Sequence, residues 1–324
     1  MSHIKFFKDL SKNDVGIAGG KGASLGEMTQ AKIPVPPGFV VLSNAFDRFV
    51  EETHLKEEII ARLKEVDPND TNSIDKASAI LRDVIHDTAM PKDLEKEILA
   101  AFKKLDAKYV AVRSSATAED SSIASWAGEL ETYLNTEKKN VLERVKQCWS
   151  SLFTPRAIFY RHEKNLIDHY VSVAVVVQKM IQSEISGIAF TVHPVTEDPD
   201  QMIIEAGYGL GEAIVSGQVT PDSYIVSKGE MSIMDINIGE QNQMLIRKGG
   251  KIKGKEDEEN KSNHWIALGK KGVQQKLSGR EIIKAAELFL NIEKHYGFPC
   301  DIEWAMEKGK LYITQSRPIT TLKK

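Results

Sequence analysis

Cysteine is scarce: the 324 residues hold two, Cys148 and Cys300, far apart in the chain. That excludes a disulfide framework, offers no metal-ligand spacing, and fits a reducing compartment. Aromatic residues make up only 7%, which argues against a stacking platform for single-stranded nucleic acid. Neither sign of charge dominates, with 43 Lys and Arg against 46 Asp and Glu and a formal net charge of −3. A broad nucleic-acid surface is therefore not expected. The longest apolar run lies near Val171–Val177, far short of the roughly 20 residues a membrane span needs. The opening MSHIKFFKDLSKND lacks the apolar stretch of a secretory signal. The expectation is a cytoplasmic protein that engages neither membrane nor nucleic acid. What is present is globular: 41% hydrophobic and 27% charged residues exclude a disordered chain. The length allows about two domains.

The local pattern predicts the elements. Glycines between Gly16 and Gly22 read as a loop, and Ser24 and Glu27 have the spacing of a capping box for a helix behind it. Pro34, Pro36 and Pro37 enforce extended chain before a short buried strand at Phe39–Leu42. From Asn44 to about Leu105 the pattern is helical, broken at Pro68–Asp70 and restarted at Pro91. Strands are predicted at Tyr109–Ser114, Val171–Met180, Gly187–Val192, Gln201–Glu205, Ser223–Val226 and Met231–Ile236. Helices are predicted at Val141–Leu152, Pro155–Asn165 and from Ser278 to near His295. Lys251–His264 is charged and poor in apolar residues and reads as an exposed loop. The end of the chain reads as a hairpin with Gly309 in its loop.

Four constellations carry chemistry. Gly19–Gly22 with Lys21 ahead of a helix suits an anion, although the tract is not a Walker motif and also reads as a plain turn. Arg113 leaves a strand into the hydroxyl-rich loop SSATAED, which suits phosphate; a salt bridge to Glu119 or Asp120 is the ordinary alternative. The tract AGYGLGE permits close backbone approach to a ligand or simply turns between strands, while Glu205 at its start is placed to meet a ribose hydroxyl or a metal. In the terminal hairpin, a three-residue loop centred on Gly309 sets Glu303 opposite Gln315 and Asp301 opposite Arg317. All four then share one face, as a polar cluster suited to Mg²⁺ and phosphate or as surface pairs. A slip of one residue scatters them to two faces.

Six tracts follow in order: GGKGASLGEM, VRSSATAEDSS…ASWAGELETYLN, SLFTPRAIFYR, VVVQKMIQSEISGIAFTVHPVT, IIEAGYGLGEAIVSGQVTPDSY and DIEWAM…LYITQSRPIT. Together they resemble the N-terminal ATP-binding domain of the phosphoenolpyruvate synthase (pyruvate, water dikinase) family, which pyruvate phosphate dikinase and rifampin phosphotransferase share. The resemblance covers about residues 4–321. It implies an α+β, ATP-grasp fold in two lobes with nucleotide bound between them. The expected division is a mostly helical lobe with the Gly-rich loop at 1–107 and an ATP-grasp portion at 108–324 with a hinge strand and a metal-binding hairpin.

Carried over by motif, Lys21 and Arg113 contact ATP phosphates with Thr132 close to them. Gln178, Lys179, Met180 and Ile181 form the hinge strand beside adenine. Glu184 or Glu205 reaches the ribose. Glu303 and Gln315 hold Mg²⁺ with Asp301 nearby, and Arg317 stabilises the transferring phosphoryl group. Lys21, Arg113 and Arg317 are thus the expected catalytic cations, and ATP and Mg²⁺ the expected cofactors. The family also uses a phosphohistidine domain with a Thr-Ser-His type motif and, in the synthases and dikinases, a pyruvate-binding barrel. None of the eight histidines here sits in such a motif. The resemblance therefore implies a phosphotransferase component whose partner is a phosphohistidine carrier on another domain or chain. Two alternatives remain open: a nucleotide-binding regulatory module without turnover, and the ATP lobe of a rifampin phosphotransferase-like antibiotic kinase.

Overall fold

A computed structural model of the chain describes residues 2–117, 131–164, 166, 171–247, 263–319 and 322. The chain divides into two compact units, Met1–Gln30 with Pro37–Met180, and Ala31–Pro36 with Ile181–Lys324.

The first unit contains β1 (Ile4–Phe6), α1 (Val15–Gln30), β2 (Gly38–Val41), α2 (Ser43–Glu52), α3 (Leu55–Lys64), α4 (Thr71–Asp87) and α5 (Lys92–Leu105). It continues with β3 (Val110–Ala116), β4 (Thr132–Thr136), α6 (Val141–Ser150), α7 (Pro155–Glu163) and β5 (Val173–Lys179). Among the described residues the strands form one sheet in the order β1-β2-β5-β3-β4. The expected boundary at 107/108 falls inside this unit, because β2 from before it hydrogen-bonds to β5 from after it.

One sheet face, with Phe39, Val110, Val112, Val175 and Val177, joins the helices in a single apolar core. The helices supply their stripes at helical spacing, such as Phe46, Phe49 and Val50 on α2 and Leu94, Ile98, Ala101, Phe102 and Leu105 on α5. Phe49 stacks on Trp149 with ring centroids 5.0 Å apart. Burying such a side chain stabilises the fold by about 2 kcal/mol. On the opposite face the strands carry Arg113, Ser115 and Gln178, and Gly22 of α1 lies against Val40 there.

The glycine tract expected as a loop belongs instead to α1, which kinks at Gly19 (φ 68°, ψ 170°). The expected capping box of Ser24 and Glu27 does not mark a helix start. Both lie inside α1, and the Glu27 carboxylate accepts the Lys12 amide at 3.0 Å.

The second unit contains β6 (Ile185–Phe190), β7 (Gln201–Tyr208), α8 (Glu212–Val215), β8 (Asp222–Ser227), β9 (Ser232–Asn237), β10 (Gln243–Arg247), β11 (Asn263–Ala267), α9 (Gly279–Tyr296), β12 (Cys300–Glu307) and β13 (Lys310–Pro318). Among the described residues an antiparallel sheet runs β13-β12-β6-β7-β8-β9, and β10 pairs with β11. His264, expected at the end of a loop, lies in β11; residues 251–262 of that loop are outside the described residues. The capping box of Ser278 with Glu281 starts α9, which packs Phe289 against Trp304 with centroids 6.3 Å apart. Ile302, Ala189, Ile204 and Tyr224 lie in register on that same face. Below it Lys276 Nζ meets Asp222 Oδ1 at 2.7 Å with both side chains fully buried.

Candidate functional site

In the first unit the site begins at the kink of α1. A Cβ at Gly19 would lie 2.2 Å from Ser115 Oγ and 2.4 Å from the Ser115 carbonyl oxygen, so only glycine permits this approach. Beyond the kink the Gly22 amide points to Ser115 Oγ at 3.4 Å. A hydroxyl from β3 thus meets one of the amides that a helix start leaves without an internal partner. Lys21 stands in this first turn after the kink. Arg113, on the same strand as Ser115, is 9% exposed and lies directly opposite Thr132 of β4. Directly opposite residues share a face, so β3 and β4 bring Arg113 and Thr132 to the side of the sheet where α1 packs. The alternative partners of Arg113, Glu119 and Asp120, are outside the described residues.

Gln178 is buried on β5 on this same face, between Gly38 and Ala111. The next two amides are already engaged, Lys179 N–H with the Pro37 carbonyl at 2.9 Å and Met180 N–H with the Tyr109 carbonyl at 3.0 Å. Those two N–H groups are therefore not spare donors for a base edge. Met180 ends the first unit and Ile181 begins the second.

In the second unit the hairpin pairs Asp301 with Arg317 and Glu303 with Gln315, as expected, by an unexpected route. The loop has two residues, Lys308 and Gly309, at φ 50° and 71°, between paired Glu307 and Lys310. A regular ladder from that turn would place Thr314 opposite Glu303 and send Gln315 and Arg317 to the face of α9. A bulge between Glu303 and Trp304 makes Thr314 the extra residue and restores the expected pairing.

The polar line continues into the sheet. Glu303 pairs with Ile188, and Glu205, which pairs with Ser223, occupies the same row of β7 between the Ile185–Tyr208 and Ala189–Ile204 pairs. Gln315, Glu303, Ile188 and Glu205 thus share one face. Burial pushes the Glu205 carboxyl above its usual range. Burial also raises Asp301, against the opposing pull of Arg317. Arg317 donates to Asp301 Oδ2 from Nε at 2.9 Å and Nη2 at 2.8 Å.

Glu184 lies beside the hairpin turn. Its carboxylate accepts the Lys308 amide at 3.2 Å and steadies the hairpin turn. The glycine tract after Glu205 is likewise packed by the protein itself. The Gly209 carbonyl accepts Ser183 Oγ and Ser186 Oγ at 2.9 and 2.7 Å, and the Leu210 amide donates to Leu245 of β10 at 2.9 Å.

Among the described residues no three His, Cys, Asp or Glu side chains gather as a metal cage. Glu303 beside Gln315 offers hard oxygen donors from neighbouring positions. That fits a Mg²⁺ held by one or two protein oxygens and completed by phosphate and water, and does not fit an all-protein site. Ser115 and Glu131 lie in the tracts around Arg113 and Thr132 that the sequence singles out, but it gives neither a role, because nothing in the spacing tells which hydroxyl will cover a helix end or which acid will anchor a strand. Among the described residues, no helix is long and apolar enough to cross a membrane.

Comparison with known proteins agrees with the motif order. The profile described as "Pyruvate phosphate dikinase, AMP/ATP-binding domain" matches residues 15–324. A probable phosphoenolpyruvate synthase of Methanocaldococcus jannaschii is 47% identical over 100% of this chain and 27% of its own length. Those of Methanothermobacter thermautotrophicus and Archaeoglobus fulgidus are 46% and 49% identical over 99% of this chain, and 46% and 42% of theirs. The chain thus spans less than half the length of these relatives. A solved D-alanine-D-alanine ligase of Helicobacter pylori aligns over 75% of this chain and 53% of its own, at 9% identity and a TM-score of 0.29, a likeness too low to define the fold.

Proposed function

The chain belongs to the pyruvate phosphate dikinase AMP/ATP-binding domain family, and from that premise we propose that it is the Mg-ATP-binding, ATP-grasp component of a cytoplasmic phosphotransferase of the phosphoenolpyruvate synthase kind. It passes a phosphoryl group from ATP to a carrier histidine on another domain or chain. The observation that carries this reading is the bulged hairpin, which keeps Asp301, Glu303, Gln315 and Arg317 on one face despite its two-residue turn. A polar quartet preserved against the natural register of its own turn is hard to explain by strand packing alone.

In this reading Lys21 and Arg113 neutralise phosphate oxygens, with Thr132 hydrogen-bonding beside them. Gln178 to Ile181 line the base, Met180 by apolar contact, and the carbonyls of that strand accept from the exocyclic amine. Glu205, half-buried and without the task that occupies Glu184, meets the ribose hydroxyls. Glu303 and Gln315 hold Mg²⁺, which when bound neutralises charge on the phosphates and orients them. Arg317, turned by Asp301, donates to the phosphoryl group as its P–O bond to the departing nucleotide breaks, the bridging oxygen leaving with the electron pair, and its bond to the incoming imidazole nitrogen forms. The chain supplies positioning and charge and forms no covalent bond of its own.

Titration of Mg-ATP into the wild type and into Arg317→Ala by calorimetry tests the site. Incubation with labelled ATP and a supplied phosphohistidine domain tests the transfer. Tight binding without any label on the carrier would leave a nucleotide-binding module and sink the phosphotransferase reading.

A further inference from the structure

β4 is a short edge strand of the first unit with an irregular ladder. It has five residues, lies at the sheet edge, pairs with β3 across a register shift, and contains Asn135 at a φ of 52°. A short, irregular edge strand is held poorly by its ladder alone. Thr132, its first residue, nevertheless lies directly opposite Arg113.

The missing restraint sits one residue upstream. Glu131 Oε1 accepts from Arg82 Nη2 of α4 at 2.8 Å, and its Oε2 accepts from the Tyr133 hydroxyl. The Arg144 guanidinium of α6 stands over the Tyr133 ring, 4.8 Å from its centroid. Burial and the adjacent Glu131 carboxylate push the Tyr133 hydroxyl pKa well up, so it stays protonated and able to donate. The Glu131 carbonyl in turn accepts from Ser114 N at 3.2 Å and Ser114 Oγ at 2.9 Å. Side chains alternate across a strand. Glu131 and Tyr133 therefore reach the helices, while Thr132 between them is presented on the side of Arg113. Two helices and a neighbouring strand grip one face of β4, and the gripped segment displays its hydroxyl on the other.

We propose that Glu131, clamped by Arg82 and Tyr133, is a positioning residue that holds Thr132 against Arg113 so that the two bind one phosphate group together. This rests on the phosphate-binding reading of Arg113 and Thr132 given above. Displacing a positioning contact by about an ångström weakens what it positions far more than one lost surface ion pair does.

The test is a double-mutant cycle in Mg-ATP affinity, measured by calorimetry on the full chain for wild type, Glu131→Ala, Thr132→Ala and the double variant. Glu131→Ala is expected to weaken binding about tenfold alone and less than about twofold in the Thr132→Ala background, because coupled sites are not additive. Wild-type affinity in Glu131→Ala overturns the inference. So does a tenfold loss that persists without Thr132, which marks general destabilisation. If Glu131→Ala does not fold, Tyr133→Phe removes a single donor to the clamp and must show the same coupling at smaller amplitude. A wild-type chain that takes up no Mg-ATP overturns the phosphate reading itself, and that failure is visible before any variant is compared.

Discussion

Arg317 reaches back across the hairpin onto Asp301, placing Nε at 2.9 Å and Nη2 at 2.8 Å from the same carboxylate oxygen, Oδ2. Both contacts fall on one oxygen of the carboxylate, so the guanidinium is held from one edge. Arg317 is more exposed than Asp301, 44% against 14%. The pair is thus a cation steered by a half-buried anchor, and its worth lies in direction more than in stability.

Arg317→Ala is expected to weaken Mg-ATP binding by about tenfold, the size of one lost charge-assisted contact. The melting temperature should hardly move. Calorimetry and thermal unfolding on the same sample separate the two effects, and a loss of stability without a loss of affinity would refute the assigned role.

Glu303→Gln keeps the shape of the side chain and removes its charge. In the wild type, ATP should bind at least about tenfold more tightly with Mg²⁺ than with chelator, since the cation bridges protein oxygen to phosphate. In the variant that ratio should fall toward one. An undiminished Mg²⁺ dependence would remove Glu303 from the metal.

Gly19→Ala tests the kink. The new Cβ would meet both Ser115 Oγ at 2.2 Å and the Ser115 carbonyl oxygen at 2.4 Å. A loss of about 2 kcal/mol or more is expected by denaturant unfolding. Adding Ser115→Ala should not restore it, because the backbone carbonyl stays in place. Full rescue would show that the hydroxyl alone causes the conflict.

Removing one side of the buried Asp222–Lys276 pair should be costly. Lys276 Nζ also donates to the Gly239 carbonyl at 2.6 Å, and Asp222 Oδ2 accepts the Tyr224 hydroxyl at 2.6 Å and the Lys276 amide at 2.8 Å. Lys276→Met is expected to cost about 3–5 kcal/mol, since it strands a buried carboxylate. The double change Asp222→Asn with Lys276→Met should recover part of that. Urea unfolding of the wild type and the two variants checks the order.

His86 ties stability to pH. Burial first, then the nearby Arg82 and Lys146, hold its pKa below the ordinary 6.5 in the folded chain. The unfolded chain then binds the extra proton more readily. Stability is expected to be complete above the unfolded pKa and to fall as pH drops from about 7 toward the depressed folded value. His86→Gln should flatten that slope in melting curves between about pH 7.5 and 5. An unchanged slope would assign the acid sensitivity elsewhere.

Much of the fold was legible because it rests on local rules. The helical stripes of α2 to α5, the Ser278–Glu281 box of α9 and the β-branched run of β5 each announce themselves within one element. The order of the motifs identified the family and drew attention to Lys21, Arg113, Glu303, Gln315 and Arg317. The glycine tract misled because glycine signals a break, and α1 absorbs the break as a kink at one residue. The strand β10 escaped notice because its partner β11 lies beyond the charged segment.

The amino-acid sequence by itself determined most of the helices and core strands, the family and the residues worth asking about, since those follow from periodicity, capping and motif order along the chain. The tertiary structure decided which faces those residues share. A two-residue turn and a bulge at Thr314 together yield the pairing that the hairpin pattern suggested for a different loop. Glu205 joins Glu303 on one face only because β6 runs between them in register. Pairing across strands is a long-range choice, set by which backbones can meet and which side chains the core accepts, and no window of neighbouring residues contains it.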